Sequence, residues 1–362
     1  MKSVCGRRVA VNLNGELGHY FRSYKGLRQG DPLSPLLFNL VADTLSTMLE
    51  RAFENSNLVG VTPHLVNSGL THLQYADDTV LFLQNSQQNI ANLKFLLFCY
   101  EEISGMKINY NKSEVFTIGI SREESEKIVD TFNCKLGQFL MKYLGLPISY
   151  KRLSKEELSS SAGKVERRME IWKCNQLSHG GRSILINSSL TSIPMYTMGF
   201  YWLHEGTQKR LDTARERFFW KVLATKRSYH MIKWEALASP KEFGGLGFID
   251  TRTMNTALLA KWIYKLDRGE NNLALEVLRK KYLSDNSFCQ SRQRGSSQFW
   301  QDLLKAKDWY ERGTKWKVGN GKKIRYWHDV WLGDCSLKIR YPRLFHISRQ
   351  QEWSVFDLRE VN

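Results

Sequence analysis

Apolar positions together with turn residues predict three pairs of antiparallel strands. In residues 9–24 the apolar positions alternate, and Asn14-Gly15 is a strong hairpin turn signal. In residues 70–83, apolar and β-branched residues flank Tyr75-Ala76-Asp77-Asp78, so two adjacent carboxylates fall at the tip of a predicted hairpin. Residues 319–323 are a polar, glycine-rich stretch that is predicted to be the turn between two further short strands, Trp316–Val318 and Ile324–Tyr326.

Apolar residues spaced three and four positions apart predict helices between and after these strands. Ser34-Pro35 is predicted to start one helix with Ser34 as its N-cap, and Gly105 is predicted to end a second. Capping boxes at residues 121–124 and 154–157 predict two more helix starts, the latter opening a long helix that reaches Trp172. Short sheets combined with many helices indicate an α+β fold.

The positive charge is confined to the second part of the chain. Residues 1–150 hold 14 Lys and Arg and 14 Asp and Glu, so the entire net charge of +17 comes from residues 151–362. All 11 tryptophans also lie after residue 150, which predicts a domain boundary near that position. A basic, aromatic-rich region suits a nucleic-acid partner. The alternative is that tryptophans fill helix-packing cores while Lys and Arg cover the outer faces.

Cysteine spacing argues against a zinc-binding protein, and hydropathy argues against a membrane-spanning one. The six cysteines are widely scattered and include no C-x-x-C pair, which disfavours a zinc site and favours reduced thiols. No apolar run reaches the roughly 18 residues of a membrane span, so no membrane partner is expected.

The adjacent carboxylates of Asp77 and Asp78 are the first candidate for chemistry. Two carboxylates between apolar strands are costly to remove from water without a partner. A hard divalent cation, which prefers oxygen ligands, is one such partner. The alternative is a surface turn, because Asp-Asp is also favourable turn chemistry.

Four sequence blocks follow one another in a fixed order at residues 26–38, 75–78, 105–114 and 143–148. Together they resemble the palm motifs of reverse transcriptases. More narrowly, they resemble the long-interspersed-element class of non-long-terminal-repeat retrotransposons, in the form common in plant genomes. Further blocks at residues 234–248, 255–262 and 316–321 extend the resemblance over most of the chain, from Val9 to Trp331.

The resemblance implies three structural regions. Residues 1–150 are expected to form a partial polymerase palm, in which an antiparallel sheet packs on helices. Residues 151–233 are expected to form a mostly helical thumb. Residues 234–362 are expected to form a basic, Trp-rich connecting region.

The resemblance also implies roles for residues of the palm. Asp77 is implied to bind the two catalytic metal ions, Mg²⁺ or Mn²⁺, and Asp78 to assist. Template and nucleotide contacts are implied for Arg28, Gln29, Gly30 and Tyr75. Lys112 is implied to help protonate the pyrophosphate leaving group, the alternative being a solvated lysine at a strand start.

The thumb helices carry four arginines that are predicted to hold the nucleic-acid backbone. They are Arg167, Arg168, Arg215 and Arg217. Backbone contacts of this kind carry no base information, so binding with little sequence preference is expected.

The resemblance implies a reaction and a location. The family reaction is RNA-directed DNA synthesis from deoxynucleoside triphosphates on an RNA template and a DNA primer. The implied location is the nucleus.

One family feature has no match in this sequence. The family places a second metal-binding Asp on an earlier palm strand, whereas Asp31 and Asp43 are the only Asp residues before Asp77. The chain is therefore expected to be a truncated reverse transcriptase that also lacks the fingers.

Three hypotheses follow from this departure. The chain retains some metal-dependent polymerisation, or it only binds nucleic acid through its basic regions, or it is a remnant without a role. The missing Asp favours the second hypothesis for this polypeptide.

Overall fold

The computed structural model describes residues 8–22, 26–27, 30–66, 69–171, 177–220, 232–283, 287–291 and 296–360. The chain forms two compact units, residues 1–137 and residues 138–362.

The first unit begins with two short antiparallel strand pairs. Strand β1 (Arg8–Val9) pairs with β4 (Phe21–Arg22), and between them β2 (Asn12–Leu13) pairs with β3 (Glu16–Leu17). Asn14 and Gly15 join β2 to β3 with φ angles of 51° and 97°. Two successive positive φ angles are what a tight hairpin turn requires, so the predicted Asn-Gly hairpin is confirmed.

Two helices form the core of the first unit. Helix α1 (Ser34–Glu54) and helix α2 (Gln87–Ser104) pack together, and the hairpin of β5 (His72–Tyr75) and β6 (Asp78–Leu81) lies between them in sequence. Their shared core consists of Leu45, Leu49, Ala52, Leu58, Leu93, Leu97 and Tyr100. The apolar stripe predicted for α1 is only partly covered, since Leu40 is 73% exposed.

The ends of these helices test the cap predictions. Gly105 ends α2 in the left-handed conformation with φ 67°, as predicted. The prediction for α1 is wrong by one position: Ser34 is the first helical residue, and Leu33 flanks it without a side-chain cap. Asp31 organises this turn instead, because its carboxylate accepts the Leu33 N–H at 3.1 Å and its carbonyl accepts the Ser34 N–H at 3.1 Å.

A short parallel pair closes the first unit. Strand β7 (Glu114–Val115) pairs with β8 (Lys135–Leu136), and helix α3 (Arg122–Phe132) connects them. The capping box predicted for α3 is present, with Ser121 and Glu124 each bonding the other's backbone N–H.

The second unit begins with a hairpin and two consecutive helices. Strands β9 (Met141–Tyr143) and β10 (Leu146–Ile148) pair across a two-residue turn. Ser154 and Glu157 form the predicted capping box, but the helix it opens is not continuous. Helix α4 (Lys155–Leu158) ends at Ser159, whose hydroxyl donates to the Glu156 carbonyl at 2.7 Å, and α5 (Ser160–Ile171) then begins. Trp172, the predicted end of this helix, lies outside the described residues.

Helices α5 to α9 surround one core. The helices after α5 are α6 (His179–Leu185), α7 (Ser192–Met198), α8 (Glu205–Trp220) and α9 (Trp234–Leu237). A π-helical segment (Ile186–Leu190) joins α6 to α7. The core contains Val165, Ile186, Leu190, Leu203, Leu211, Phe218, Trp234 and Phe248.

A second core of this unit lies around a long helix pair. Helix α10 (Thr251–Arg268) packs on α12 (Gln298–Gly313), with α11 (Leu273–Leu278) between them in sequence. Trp300 is fully buried there and stacks on Tyr282 with a ring-centroid distance of 4.3 Å.

The buried amide of Asn255 ties this helix pair to a loop. The amide nitrogen donates to the carbonyls of Met198 and Tyr201 at 2.9 and 3.0 Å. The amide oxygen accepts the Leu203 N–H at 2.8 Å. A single side chain therefore satisfies the last carbonyl of α7 and two backbone groups of the loop between α7 and α8.

The C-terminal part contains α13 (Leu337–Arg340), α14 (Pro342–Ile347) and α15 (Val355–Glu360). The hairpin predicted around residues 319–323 is wrong. The Trp316 N–H donates to the Val330 carbonyl, and Arg325 forms an isolated bridge with Ser354. The two predicted strands therefore bond partners elsewhere rather than each other.

Helices with short two-stranded sheets confirm the predicted α+β class. None of the described helices is both long and apolar enough to cross a membrane. The predicted domain boundaries at residues 150 and 233 stay predictions.

Candidate functional site

The two predicted carboxylates lie at the tip of the β5–β6 hairpin. Tyr75 pairs with Asp78, which leaves Ala76 and Asp77 as a two-residue turn. Ala76 has a φ of 52°, an unusual conformation for a residue with a side chain. Asp77 and Asp78 are both exposed, so the predicted hairpin with carboxylates at its tip is what the fold presents.

The base of this hairpin is fixed while its tip stays in solvent. The Ser46 hydroxyl of α1 donates to the side-chain oxygen of Gln74 at 2.9 Å, and Leu81 packs against the core of the first unit. His72 is half-buried, and this burial lowers the pKa of its imidazole. Tyr75 is 63% exposed on the face of the hairpin opposite His72 and Gln74, where its ring is open to a ligand.

The donor chemistry of the hairpin tip fits a hard divalent cation only in part. Neither the Asp77 nor the Asp78 carboxylate has a hydrogen bond or an ion pair with a residue that the structure describes. Carboxylate oxygens suit Mg²⁺, which is held in proteins by one or two carboxylates together with waters and substrate phosphates. Within the described ranges, no group of three or more His, Cys, Asp or Glu side chains is placed to hold a metal ion.

The predicted template contacts are described only in part. Arg28 and Gln29 lie outside the described residues. Gly30 has a φ of 85°, which favours glycine, and it lies four positions before α1 begins at Ser34.

Lys112 lies two positions before β7 begins, rather than at the strand start itself. It lies in a turn between α2 and β7, where its backbone N–H donates to the carbonyl of Asn109 at 3.0 Å. Its side chain is exposed, so its ammonium group is free of the cost of burial.

Three of the four predicted backbone arginines lie on the surface of two packed helices. Arg167 and Arg168 are exposed on α5, and Arg217 is exposed on α8. Helices α5 and α8 pack together, and Arg210 of α8 donates two hydrogen bonds to the Glu166 carboxylate of α5, at 2.7 and 2.5 Å. The paired helices therefore present guanidinium groups on a fixed support. The Arg210–Glu166 pair was not predicted, although an acid among the basic residues of α5 was visible in the sequence.

Arg215 is a correction to the predicted backbone set. It is only 3% exposed and its guanidinium donates to the Ile249 carbonyl at 2.8 Å and to the Thr251 hydroxyl at 2.5 Å. It also pairs with Asp212 and lies over the ring of Trp234 at 5.7 Å. Its donors hold the core of the second unit together, so it is not available to a nucleic-acid backbone.

A second buried arginine was missed by the sequence analysis. Arg182 of α6 is 4% exposed and donates to the carbonyls of Leu177 and Phe219, at distances from 2.8 to 3.2 Å. Its position beside the Gly180-Gly181 pair gave no sign of burial. Part of the basic content of the second unit is therefore structural.

Comparison with known proteins places these features in a family. Residues 2–148 match the family model described as reverse transcriptase (RNA-dependent DNA polymerase). This range includes the acidic hairpin, Gly30 and Lys112.

Relatives extend the match beyond these residues. An Arabidopsis thaliana protein named "Putative ribonuclease H protein" is 32% identical over 52% of this chain and 31% of its own length. An uncharacterized mitochondrial protein of the same plant is 30% identical over 40% of this chain and 94% of its own length. The retrovirus-related Pol polyprotein from the type-1 retrotransposable element R2 of Popillia japonica is 23% identical over 75% of this chain and 44% of its own length.

The chain thus spans less than half the length of the first and third of these relatives. The family match covers the acidic hairpin, and the Popillia japonica polyprotein matches over 283 residues, which is more than the family match spans. The chain belongs to the reverse transcriptase family, in the group found in non-long-terminal-repeat retrotransposons.

Proposed function

We propose that this chain carries the acidic hairpin and the nucleic-acid-binding helices of an RNA-directed DNA polymerase. Reverse transcriptases bind nucleic-acid templates and deoxynucleoside triphosphates and use divalent metal ions. The observation that carries the proposal is the exposed pair Asp77 and Asp78 at the tip of a hairpin whose base is anchored in the core. A rigid support that presents two carboxylates to solvent is what a metal-dependent transfer of a nucleotide needs.

The proposed roles follow from the position of each side chain. Asp77 and Asp78 would hold the divalent metal, which when bound activates the primer 3′-hydroxyl and neutralises the triphosphate charge. The exposed ring of Tyr75 would contact the nucleotide next to the carboxylates. The exposed Lys112 ammonium would supply a proton to the leaving pyrophosphate.

The metal site is proposed to need a further carboxylate. Asp31 is engaged in the turn before α1, and Asp43 lies on an exposed face of α1. Two carboxylates alone are expected to bind Mg²⁺ weakly, because the ion prefers to keep its waters until substrate phosphates help. Isothermal calorimetry of the protein without nucleic acid should show Mg²⁺ affinity no tighter than about millimolar. Micromolar affinity would contradict this view of the site.

A second candidate is nucleic-acid binding without polymerisation. It is favoured by the exposed Arg167, Arg168 and Arg217 on the paired helices α5 and α8, and by the net charge of +17. Phosphate contacts alone produce such binding. A nuclear location, which the family resemblance suggests, is proposed for either function.

Primer extension on purified protein separates the two candidates. The substrate is an RNA template with an annealed DNA primer, with Mg²⁺ or Mn²⁺, and the variants are Asp77→Asn, Asp78→Asn and the matched control Asp43→Asn. If the chain polymerises, Asp77→Asn should reduce extension at least about 100-fold and Asp43→Asn should not change it. Binding of the template–primer without extension would select the second candidate, and the absence of both binding and extension would contradict the two proposals together.

A further inference from the structure

The second unit contains a cavity of about 340 Å³ that none of the sites described above uses. One wall is the segment from Ser149 to Leu153, which follows strand β10. The other wall is the segment from Ser296 to Gln301 at the start of α12, and Tyr201 completes the lining. The volume lies within the range of small-molecule sites, which begins at about 300 Å³.

Hydrogen bonds hold the two walls in place. The Leu153 N–H donates to the side-chain oxygen of Gln298 at 2.8 Å, which joins residues 145 positions apart. The Tyr201 hydroxyl donates to the Pro147 carbonyl at 2.7 Å. The first bond joins the two walls, and the second fastens Tyr201 to the residue that precedes Ile148, the end of strand β10, next to the first wall. The cavity is therefore formed by contacts within the chain.

The charge of the lining selects an anion. Lys151 and Arg152 contribute two positive charges, and no acidic residue is among the described residues that line the cavity. The hydroxyl of Ser296 is buried in the same lining and has no hydrogen-bond partner among the described residues. A phosphate group would accept from the Lys151 ammonium and the Arg152 guanidinium, and from the Ser296 hydroxyl once that side chain turns toward the cavity, since these groups are its usual donors.

An aromatic ring lies beside these donors. Tyr150 is 60% exposed, and the Lys151 ammonium is 5.4 Å from the centroid of its ring. The ring is held by edge-to-face contact with Phe139 at 5.0 Å. An exposed ring next to cationic groups is the arrangement that binds a base and its phosphate together.

We propose that this cavity binds one nucleotide unit, with the phosphate on Lys151, Arg152 and Ser296 and the base on the ring of Tyr150. The choice of a nucleotide among phosphate-bearing ligands rests on the proposed function. The unit belongs either to a single nucleic-acid strand or to a free nucleoside triphosphate, which share this chemistry. The lining shares no residue with the arginines of α5 and α8 or with the carboxylates of Asp77 and Asp78.

The test measures equilibrium binding to the full chain without divalent metal, so it does not depend on polymerisation. The probes are a fluorescent 12-residue oligodeoxythymidylate and a fluorescent ATP analogue, each followed by anisotropy. Lys151→Ala/Arg152→Ala and Tyr150→Ala are each expected to weaken binding of at least one probe about 10-fold or more. Tyr150→Phe should bind like the wild type, because it keeps the ring face. Loss of oligonucleotide binding alone assigns the site to a strand, and loss of ATP-analogue binding alone assigns it to a free triphosphate.

The matched control is Lys127→Ala/Lys135→Ala, which removes the same charge from exposed positions of the first unit. This control measures the general effect of losing two positive charges, which should change binding of the probes by less than about 2-fold. The proposal is overturned if both cavity variants bind both probes as tightly as this control.

A cross-linking measurement on the wild-type protein gives an independent result. An oligonucleotide that carries 4-thiothymidine is expected to cross-link to the tryptic peptide of residues 143–151, which contains Tyr150. Cross-links that map only to other peptides would also overturn the proposal for a strand.

Discussion

Replacement of Arg215 by Met is expected to lower the free energy of unfolding of the second unit by about 3 kcal/mol. The change removes the donors to the Ile249 carbonyl and the Thr251 hydroxyl and leaves Asp212 without its cation. Loss of one partner from a buried charged pair costs about 3–5 kcal/mol. The Asp212 side chain is 27% exposed, so water relieves part of that cost and the lower end of the range applies.

A loss of this size is a large fraction of the stability of an ordinary domain, which is about 5–15 kcal/mol. For a unit of more than 200 residues, each kcal/mol shifts the melting temperature by about 2–4 °C, so Arg215→Met should melt about 6–12 °C lower. Circular dichroism melts and urea titrations measure the shift. The matched control is Arg217→Met, an exposed arginine on the same helix, which should change stability by no more than about 0.5 kcal/mol.

Binding of nucleic acid separates the two arginines in the opposite sense. At a temperature well below the melt, Arg217→Met should weaken binding to an RNA–DNA duplex, while Arg215→Met should bind like the wild type. If Arg215→Met melts normally and weakens binding as much as Arg217→Met, the assignment of Arg215 to the core is refuted.

Three further outcomes are expected. Replacement of Arg167, Arg168 and Arg217 by Glu should weaken binding to all duplex sequences equally in filter-binding titrations. The slope of log binding constant against log salt concentration should fall in magnitude by about 3, and an unchanged slope would contradict contact with the backbone. Burial raises the pKa of the Asp267 carboxyl, so the free energy of unfolding should fall as the pH rises above the ordinary value of 3.8. In Asp267→Asn this fall should be absent from pH-dependent urea titrations, and its persistence would assign it to another group. Leu40 on α1 and Phe98 on α2 are exposed apolar side chains, at 73% and 57%, and such surface is expected to promote self-association. Phe98→Ser should reduce association in sedimentation velocity runs without lowering the melting temperature, and equal association would exclude this face of α2.

The features predicted correctly from the sequence are those set within a few residues. The Asn14-Gly15 turn needs only two positive φ angles, and the capping boxes at Ser121 and Ser154 need only side chains three positions apart. The acidic hairpin belongs to the same class, because the apolar residues on both sides of Asp77 define its strands. Each of these signals is independent of the rest of the chain.

The features that were missed depend on partners distant in sequence. Arg215 was assigned to the surface by its charge, although Leu211 and Phe219 four positions away on either side are buried. The helical period therefore indicated burial of Arg215. The acceptors that compensate the cost of burying its guanidinium, the Ile249 carbonyl and the Thr251 hydroxyl, lie 34 and 36 positions away and were not visible locally. The cavity wall at Leu153 meets Gln298 across 145 positions, which no local pattern predicts.

The Asn255 amide has a consequence for insertions and deletions. Its two donors and one acceptor reach Met198 at the end of α7 and Tyr201 and Leu203 in the loop that follows, at fixed offsets along the chain. One residue added or removed between Met198 and Leu203 would displace at least one of these backbone groups by about 3.8 Å, beyond hydrogen-bond reach of a side chain that is fully buried. The loop can change most of its side chains, but its length is fixed by one amide group from another helix.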